Sequence, residues 1–246
     1  MKNVLNNLVW IGILLLVIGF AMFIRMKTSY VDIPLDYDPW WFYRHAKEIV
    51  ENYKKGLGLV PNVWDILSYF PPGRPYVIDG YSYTIALFYI LVSNFINITL
   101  EKFSVYFVVY YVGFACFVAF LLSYYLTRNF FASIIATIAI GFSPAFISVS
   151  MAGYVDSDVI YVTYTYLTVL TTLIFLNYFK SIISILVRKK FLKTNEKINK
   201  ADIFKFAAIS ILTILSYLIF AIHWSAAYYI TNFFIVCLLY TSDAAD

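Results

Sequence analysis

Charge is what this sequence has least of. Only 13% of its 246 residues are Asp, Glu, Lys or Arg, where a soluble domain carries about a quarter. With 62% hydrophobic residues beside that scarcity, a soluble globular domain is excluded and a polytopic membrane protein is implied. Cysteine is nearly absent as well. Cys116 lies inside an apolar run and Cys237 near the end, which leaves no disulfide framework and no zinc motif. The apolar N-terminal stretch lacks a small-residue cleavage site, so it reads as an uncleaved signal anchor. There is no internal repeat. What the chain has in quantity is aromatic: 23 Tyr and 23 Phe, as interfacial belts at both membrane faces require.

In chain order, residues 8–26 form the first predicted span, of the length a ~30 Å hydrocarbon core requires. Residues 27–102 then turn polar. Within them Asp38-Pro39 is predicted to open a helix, with Asp38 as cap and Pro39 at the first helical position. Phe42, Ala46, Ile49, Val50 and Tyr53 make an apolar stripe, with Arg44, Lys47, Glu48, Glu51 and Lys54 largely opposite. That pattern describes an amphipathic helix lying along the membrane surface. Gly56 and Gly58 end it, and Trp64-Asp65 with Pro71-Pro72-Gly73-Arg74-Pro75 reads as a rigid loop. Further apolar stretches follow at 81–98, 103–126, 129–149, 159–179 and 206–236.

Charge decides the topology. Residues 180–205 carry eight Lys or Arg against Glu196 and Asp202, the strongest cytoplasmic signal in the chain and a solvated or lipid-facing loop, not a nucleic-acid site. Residues 27–102 carry seven basic and eight acidic groups, which suits the outer side. If 81–98, 103–126, 129–149 and 159–179 all crossed, the two segments would share a face, against the charge rule. Keeping the short 81–98 segment outside removes the conflict, making 27–102 one external loop and 103–126, 129–149 and 159–179 spans. The 150–158 loop then joins Asp36 and Asp38 on the external face, and so does the sequon Asn97-Ile98-Thr99.

Asp36 and Asp38 are two residues apart, as are Asp156 and Asp158. In an extended or turn segment such a pair points to one side, and Gly153 favours a turn before the second pair. Hard carboxylate oxygens gathered from two segments are what Mg²⁺ or Mn²⁺ takes, with water or phosphate completing the shell. The same residues also fit a plainer role: Asp38 as a helix cap, and Asp156 or Asp158 as the cap of the span starting near Val159.

Asp38-Pro39-Trp40-Trp41-Phe42-Tyr43-Arg44, then Trp64-Asp65 with Pro72-Gly73-Arg74, then Pro144 to Ser148 and Ala152-Gly153-Tyr154-Val155-Asp156-Ser157-Asp158, resemble in order and spacing the catalytic subunit of oligosaccharyltransferase, in its archaeal single-subunit form. His223-Trp224-Ser225-Ala226-Ala227-Tyr228 resembles that family's Trp-Gly-Gly-Tyr segment with both glycines replaced. The resemblance covers residues 1–236 and implies an all-α polytopic helix bundle, the truncated membrane domain of a GT-C-type glycosyltransferase. It implies transfer of a glycan from a dolichyl-type lipid (di)phosphate to Asn in Asn-x-Ser/Thr of acceptor proteins, at the external face of the plasma membrane. Asp38 would contact both metal and acceptor amide, and Asp156 and Asp158 would ligate the Mn²⁺ or Mg²⁺. Asp36, Arg74 and Trp224 are accessory candidates.

Two features depart from the family pattern. Val149 stands where the family has an arginine, and the family's catalytic Glu and Trp-Trp-Asp-Tyr-Gly segment are absent and expected beyond residue 246. Residues 237–246 resemble a translated sequencing-adapter end and are read as a non-native tail on an inactive fragment. A protein O-mannosyltransferase fits the Gly153–Asp158 block less well. A transporter would place its acidic groups inside the spans, near the midplane.

Overall fold

The computed structural model describes residues 2–28, 32–62, 64–68, 71–77, 79–191 and 199–243. Within the basic 180–205 segment, Lys193, Glu196 and Lys197 lie outside the described residues, as do residues 244–246 of the segment read as a tail. The chain divides into two compact units, Met1–Thr163 and Tyr164–Asp246.

In the first unit the order is α1 (Lys2–Arg25) with a 3-10 turn at Met26–Thr28, α2 (Tyr37–Lys54), a two-stranded antiparallel ribbon of β1 (Trp64–Asp65) and β2 (Arg74–Pro75), α3 (Gly80–Ser93), α4 (Leu100–Thr127), α5 (Phe130–Gly141), α6 (Pro144–Ser148), and the start of α7 (Asp158–Phe191). The remainder of α7, α8 (Lys200–His223) and α9 (Tyr228–Asp243) make up the second. Four segments are long and apolar enough to cross a membrane: Leu8–Thr28, Leu100–Thr127, Asp158–Ile185 and Ala201–His223. The protein is therefore a polytopic helical membrane protein, as composition requires.

Several segments differ from the lengths predicted for them. The 129–149 stretch is not one helix: α5 has 12 residues, about 18 Å, and stops at Gly141. Pro144 explains the break. It has no N–H to donate and disfavours helical backbone at the residue before it, so Ser143 leaves the helix and α6 restarts with Pro144 in its first turn. The 81–98 stretch is helical only over the 14 residues of α3, about 21 Å. The 206–236 stretch, by contrast, is long enough for more than one segment, and it divides into two helices at Trp224, whose extended backbone (φ −142°) separates α8 from α9. Helix α9 runs through Cys237 into the segment read as a tail.

Packing in the first unit rests on small residues. Ala21, Ala115, Cys116 and Gly141 are all buried. A Cβ on Gly113 would come 2.9 Å from Met22 Sδ, so α1 packs closely on α4 at this glycine. Leu14, Phe120 and Ile134 form an apolar cluster on α1, α4 and α5. In the second unit hydroxyls join α7 to α8: Thr171 Oγ1 lies 2.9 Å from Ser216 Oγ, and Thr213 Oγ1 donates to the Thr171 carbonyl at 3.2 Å.

One charged side chain closes the bundle. Arg25, the last residue of α1, is 0% exposed. Its Nε donates to Ser150 Oγ at 2.6 Å, and its Nη1 donates to the carbonyls of Ala21 (2.9 Å) and Gly141 (2.8 Å). Those carbonyls lie in the last turns of α1 and α5, where helix dipoles present partial negative charge. The Phe146 ring faces the guanidinium at 5.1 Å. Backbone bonds extend the junction: Ala152 N–H donates to the Arg25 carbonyl (2.9 Å), Gly153 N–H to that of Val105 (3.4 Å), and Leu35 N–H to that of Gly153 (2.8 Å). The exit of α1, the first turns of α4 and the 150–157 segment thus meet at one end of the unit.

Replacing Arg25 by Met should strand Ser150 and two helix-end carbonyls and cost about 3 kcal/mol, the scale of losing hydrogen bonds to a buried charged group. Thermal unfolding in detergent checks this: Arg25→Met should melt well below the parent, with Arg25→Lys in between.

Candidate functional site

Helix α2 is capped by Asp36, not by Asp38 as the Asp-Pro pattern predicts. Asp36 accepts the Tyr37 N–H at 2.7 Å, and its backbone sits at φ 81°, a region L-residues rarely adopt. Pro39 is consequently the third helical residue, and Asp38, in the first turn, keeps an exposed carboxylate facing solvent at the positive end of the helix dipole. The predicted stripe is only partly right. Ala46, Ile49 and Val50 are buried, Phe42 is half-buried and Tyr53 is exposed, while Tyr43 and His45 are buried in addition.

The second acidic pair follows a turn built on Gly153. Its φ of 92° demands glycine, and a Cβ there would sit 2.9 Å from Leu35 Cγ. The segment then folds back on itself through Tyr154 N–H to the Met151 carbonyl (2.9 Å) and Asp156 N–H to that of Tyr154 (2.8 Å). Asp156 is 9% exposed, and its carboxylate accepts the Ser157 N–H (2.5 Å) and hydroxyl (3.1 Å). Asp158 opens α7 with its carboxylate half-buried.

Electrostatics tie the two segments together. Burial pushes the Asp156 carboxyl above its ordinary range, the charge of Asp158 adds to the rise and Asp38 contributes further, against the stabilising Ser157 bonds. The Asp38 charge also bears directly on Asp158. Tyr154 stands among all four carboxylates: its phenol is raised by burial first, then by Asp156, Asp158, Asp36 and Asp38. Among the described residues no three His, Cys, Asp or Glu side chains converge as a ready-made ligand set. The donor chemistry nonetheless fits a hard divalent ion, since Asp38, Asp156 and Asp158 supply only carboxylate oxygens and repel one another.

Arg74 is half-buried in β2, in register with Asp65. Trp224 belongs to the other unit, where its N–H closes the end of α8 on the Phe220 carbonyl at 2.9 Å. Val149 ends α6 and is half-buried. The residue after it, Ser150, is the one that receives the Arg25 guanidinium.

A polar cluster that sequence reasoning missed braces α2. Asp65, 4% exposed, accepts both Arg44 nitrogens (2.5 and 2.7 Å), the Leu67 N–H (3.1 Å) and the Ser68 hydroxyl. His45 Nε2 lies 3.1 Å from the same carboxylate, and its Nδ1 lies 3.7 Å from Asp79, which caps α3 through the Ser82 N–H (2.6 Å). The Arg44 hydrogen bonds hold the Asp65 carboxyl well below the usual carboxylate range. The only hint in the sequence was that Arg44 and Asp65 both sit in the motifs named above, about 20 residues apart; Glu48, one turn along α2, lies farther from Arg44 at 3.6 Å.

Residues 9–244 match the family described as "Oligosaccharyl transferase STT3, N-terminal". None of the curated protein sequences matches the chain. Two solved structures from Archaeoglobus fulgidus are similar in fold at 16% identity. One is its oligosaccharyltransferase in the apo form (TM-score 0.65), and the other its oligosaccharyltransferase AglB in complex with an inhibitory peptide and a dolichol-phosphate (TM-score 0.66). Each match covers 91% of this chain and 25% of the other, so the chain spans a quarter of the length of those proteins.

The depressed Asp65 carboxyl sets a pH dependence with a definite sign. Its contribution is complete above the unfolded-state value of about 4 and is lost as pH falls below that. Asp65→Asn should cost about 3 kcal/mol at pH 7, the scale of breaking a buried pair, and the gap between parent and variant melting temperatures should close as the pH is lowered below about 4.

Proposed function

The chain belongs to the oligosaccharyl transferase STT3 N-terminal family, and we propose on that premise that it forms the donor-side half of a membrane glycosyltransferase active site. The enzyme moves a glycan from a dolichyl-type lipid phosphate or diphosphate to the side-chain amide of Asn in Asn-x-Ser/Thr. It works as a single subunit at the outer face of the plasma membrane. The observation that carries the reading is that the segments bearing Asp38 and the Asp156–Asp158 pair meet at one end of the bundle, where the Leu35 N–H donates to the Gly153 carbonyl at 2.8 Å. The acceptor and donor classes take support from the peptide and dolichol-phosphate bound to the Archaeoglobus protein.

In this reading each residue has a task. An amide nitrogen is a poor nucleophile, so a carboxylate must take hold of its protons as the bond to the sugar forms. Asp38 would do that work, which takes support from its exposure, its position in the first turn of a braced helix, and the capping of that helix by Asp36. Asp156 and Asp158 would hold a Mn²⁺ or Mg²⁺ together with Asp38. Bound there, such an ion would stabilise negative charge on the leaving phosphate. Ser157 fixes the Asp156 carboxylate by two hydrogen bonds, and Gly153 sets the path of the loop that carries it. The outward orientation takes support from α7, which begins with Asp158 and carries Arg188, Lys189 and Lys190 in its last turns.

The test uses the protein from its complete gene, with lipid-linked donor, an Asn-x-Thr peptide and Mn²⁺. Asp38→Ala should lower peptide glycosylation by about 10²-fold or more, the scale of losing a group engaged in proton transfer. Asp36→Ala should change it far less. Undiminished transfer by Asp38→Ala would sink the assignment.

A further inference from the structure

The short connection between α3 and α4 holds the triplet Asn97-Ile98-Thr99, which the reaction described above leaves unused. Asn97 is exposed and lies in non-helical backbone between the end of α3 and the Thr99 cap of α4. Four other asparagines among the described residues have their side chains engaged. Asn52 and Asn94 donate to backbone carbonyls, and Asn129 and Asn199 cap helices. The Asn97 amide makes no hydrogen bond to the described residues, so its nitrogen is available. It borders a polar cleft of about 340 Å³ that Lys47, Glu51, Lys54, Tyr89 and Glu101 also line, room enough for the first sugar of an attached chain.

Its position in the fold is what gives the triplet meaning. Thr99 caps α4, and three contacts hold that start at the acidic end: Lys102 Nζ lies 3.3 Å from Asp32, the Val105 carbonyl accepts the Gly153 N–H, and the Gly153 carbonyl in turn accepts the Leu35 N–H. Asn97 therefore faces the same side of the membrane as Asp38 and Asp156. It does not lie beside them. The cleft residues Lys47 to Lys54 are nine to sixteen positions beyond Asp38 on α2, about 14–24 Å along the helix.

We propose that Asn97 is itself an acceptor, glycosylated in trans by the active site of a second copy of the enzyme. The inference rests on the reading of the site as an Asn-x-Ser/Thr glycosyltransferase. The Asn97 amide nitrogen gives up a proton to a carboxylate of the other copy and bonds to the anomeric carbon of the glycan. The bond from that carbon to the phosphate oxygen breaks, and its electron pair leaves on the lipid phosphate. The attached glycan projects from the α2–α4 cleft on the face where acceptor proteins arrive.

Mass spectrometry of the Asn97 peptide tests this, with the complete protein expressed in membranes that contain the lipid-linked donor but no other such transferase. A tagged Asp38→Ala copy should carry bare Asn97 when alone and a glycan on Asn97 when an untagged parent copy is present. The glycan should persist in Thr99→Ser and disappear in Asn97→Gln and in Thr99→Asp, the last of which keeps the α4 cap and so separates loss of the acceptor from loss of the fold. A reporter Asn-x-Thr peptide in the same membranes distinguishes the two failures. A glycosylated reporter with bare Asn97 overturns the acceptor inference and leaves the function standing. If neither is modified, the function fails with it. Modified Asn97 on the Asp38→Ala copy alone overturns modification by a second copy.

Discussion

A guanidinium buried at the end of an apolar helix would be costly by itself, and the way Arg25 avoids that cost determines how the acidic segments sit. Its Nε and Nη1 are spent on Ser150 and on two carbonyls, one from the last turn of α1 and one from the last turn of α5. Two helix C-termini thus converge their partial negative charge on one cation, the arrangement in which a macrodipole does most for a buried charge. The neighbouring backbone completes the connection. The Arg25 carbonyl holds Ala152, and the Gly153 carbonyl holds Leu35, which precedes Asp36. The first acidic segment therefore meets the second through one backbone hydrogen bond, Leu35 to Gly153, beside the bond by which the Arg25 carbonyl holds Ala152.

The elements that sequence reveals best are those set by local composition. Runs such as 103–126 declare a membrane helix because every turn is apolar, and α4 is the helix found there. Pattern misleads where two local rules compete. In 129–149 hydropathy argued for a span and Pro144 for a break, and the missing N–H prevailed, ending α5 at Gly141. At Asp38-Pro39, the preference of proline for the first helical turn suggested Asp38 as cap. The chain instead enters α2 through Asp36 at positive φ, a conformation that sequence rules reserve for glycine.

What stays hidden is whatever depends on distant partners. Nothing around Arg25 distinguishes it from a basic residue that merely reaches for the membrane interface, since its partners lie 116 and 125 residues away. The Arg44–Asp65–His45 cluster is of the same kind: a loop residue about 20 positions from its helix, brought in by the β1–β2 ribbon. By contrast the candidate site was partly legible, because an acidic pair spaced by two residues is rare in a chain with so few charges. Its assembly from two segments was not legible from spacing, and had to come from the count of crossings.

The four carboxylates do not share one environment, and the difference between them has chemical consequences. Asp36 and Asp38 are exposed, at the cap and in the first turn of α2. Asp156 is buried, and its carboxyl is raised by burial first and then by the charges of Asp158 and Asp38. Such a group can be relieved by a proton or by a cation. A proton would end its usefulness as a ligand, whereas a divalent ion, in the reading proposed above, would offset the repulsion among the carboxylates together. In that reading such an ion would be held between a buried carboxylate, Asp156, and an exposed one, Asp38.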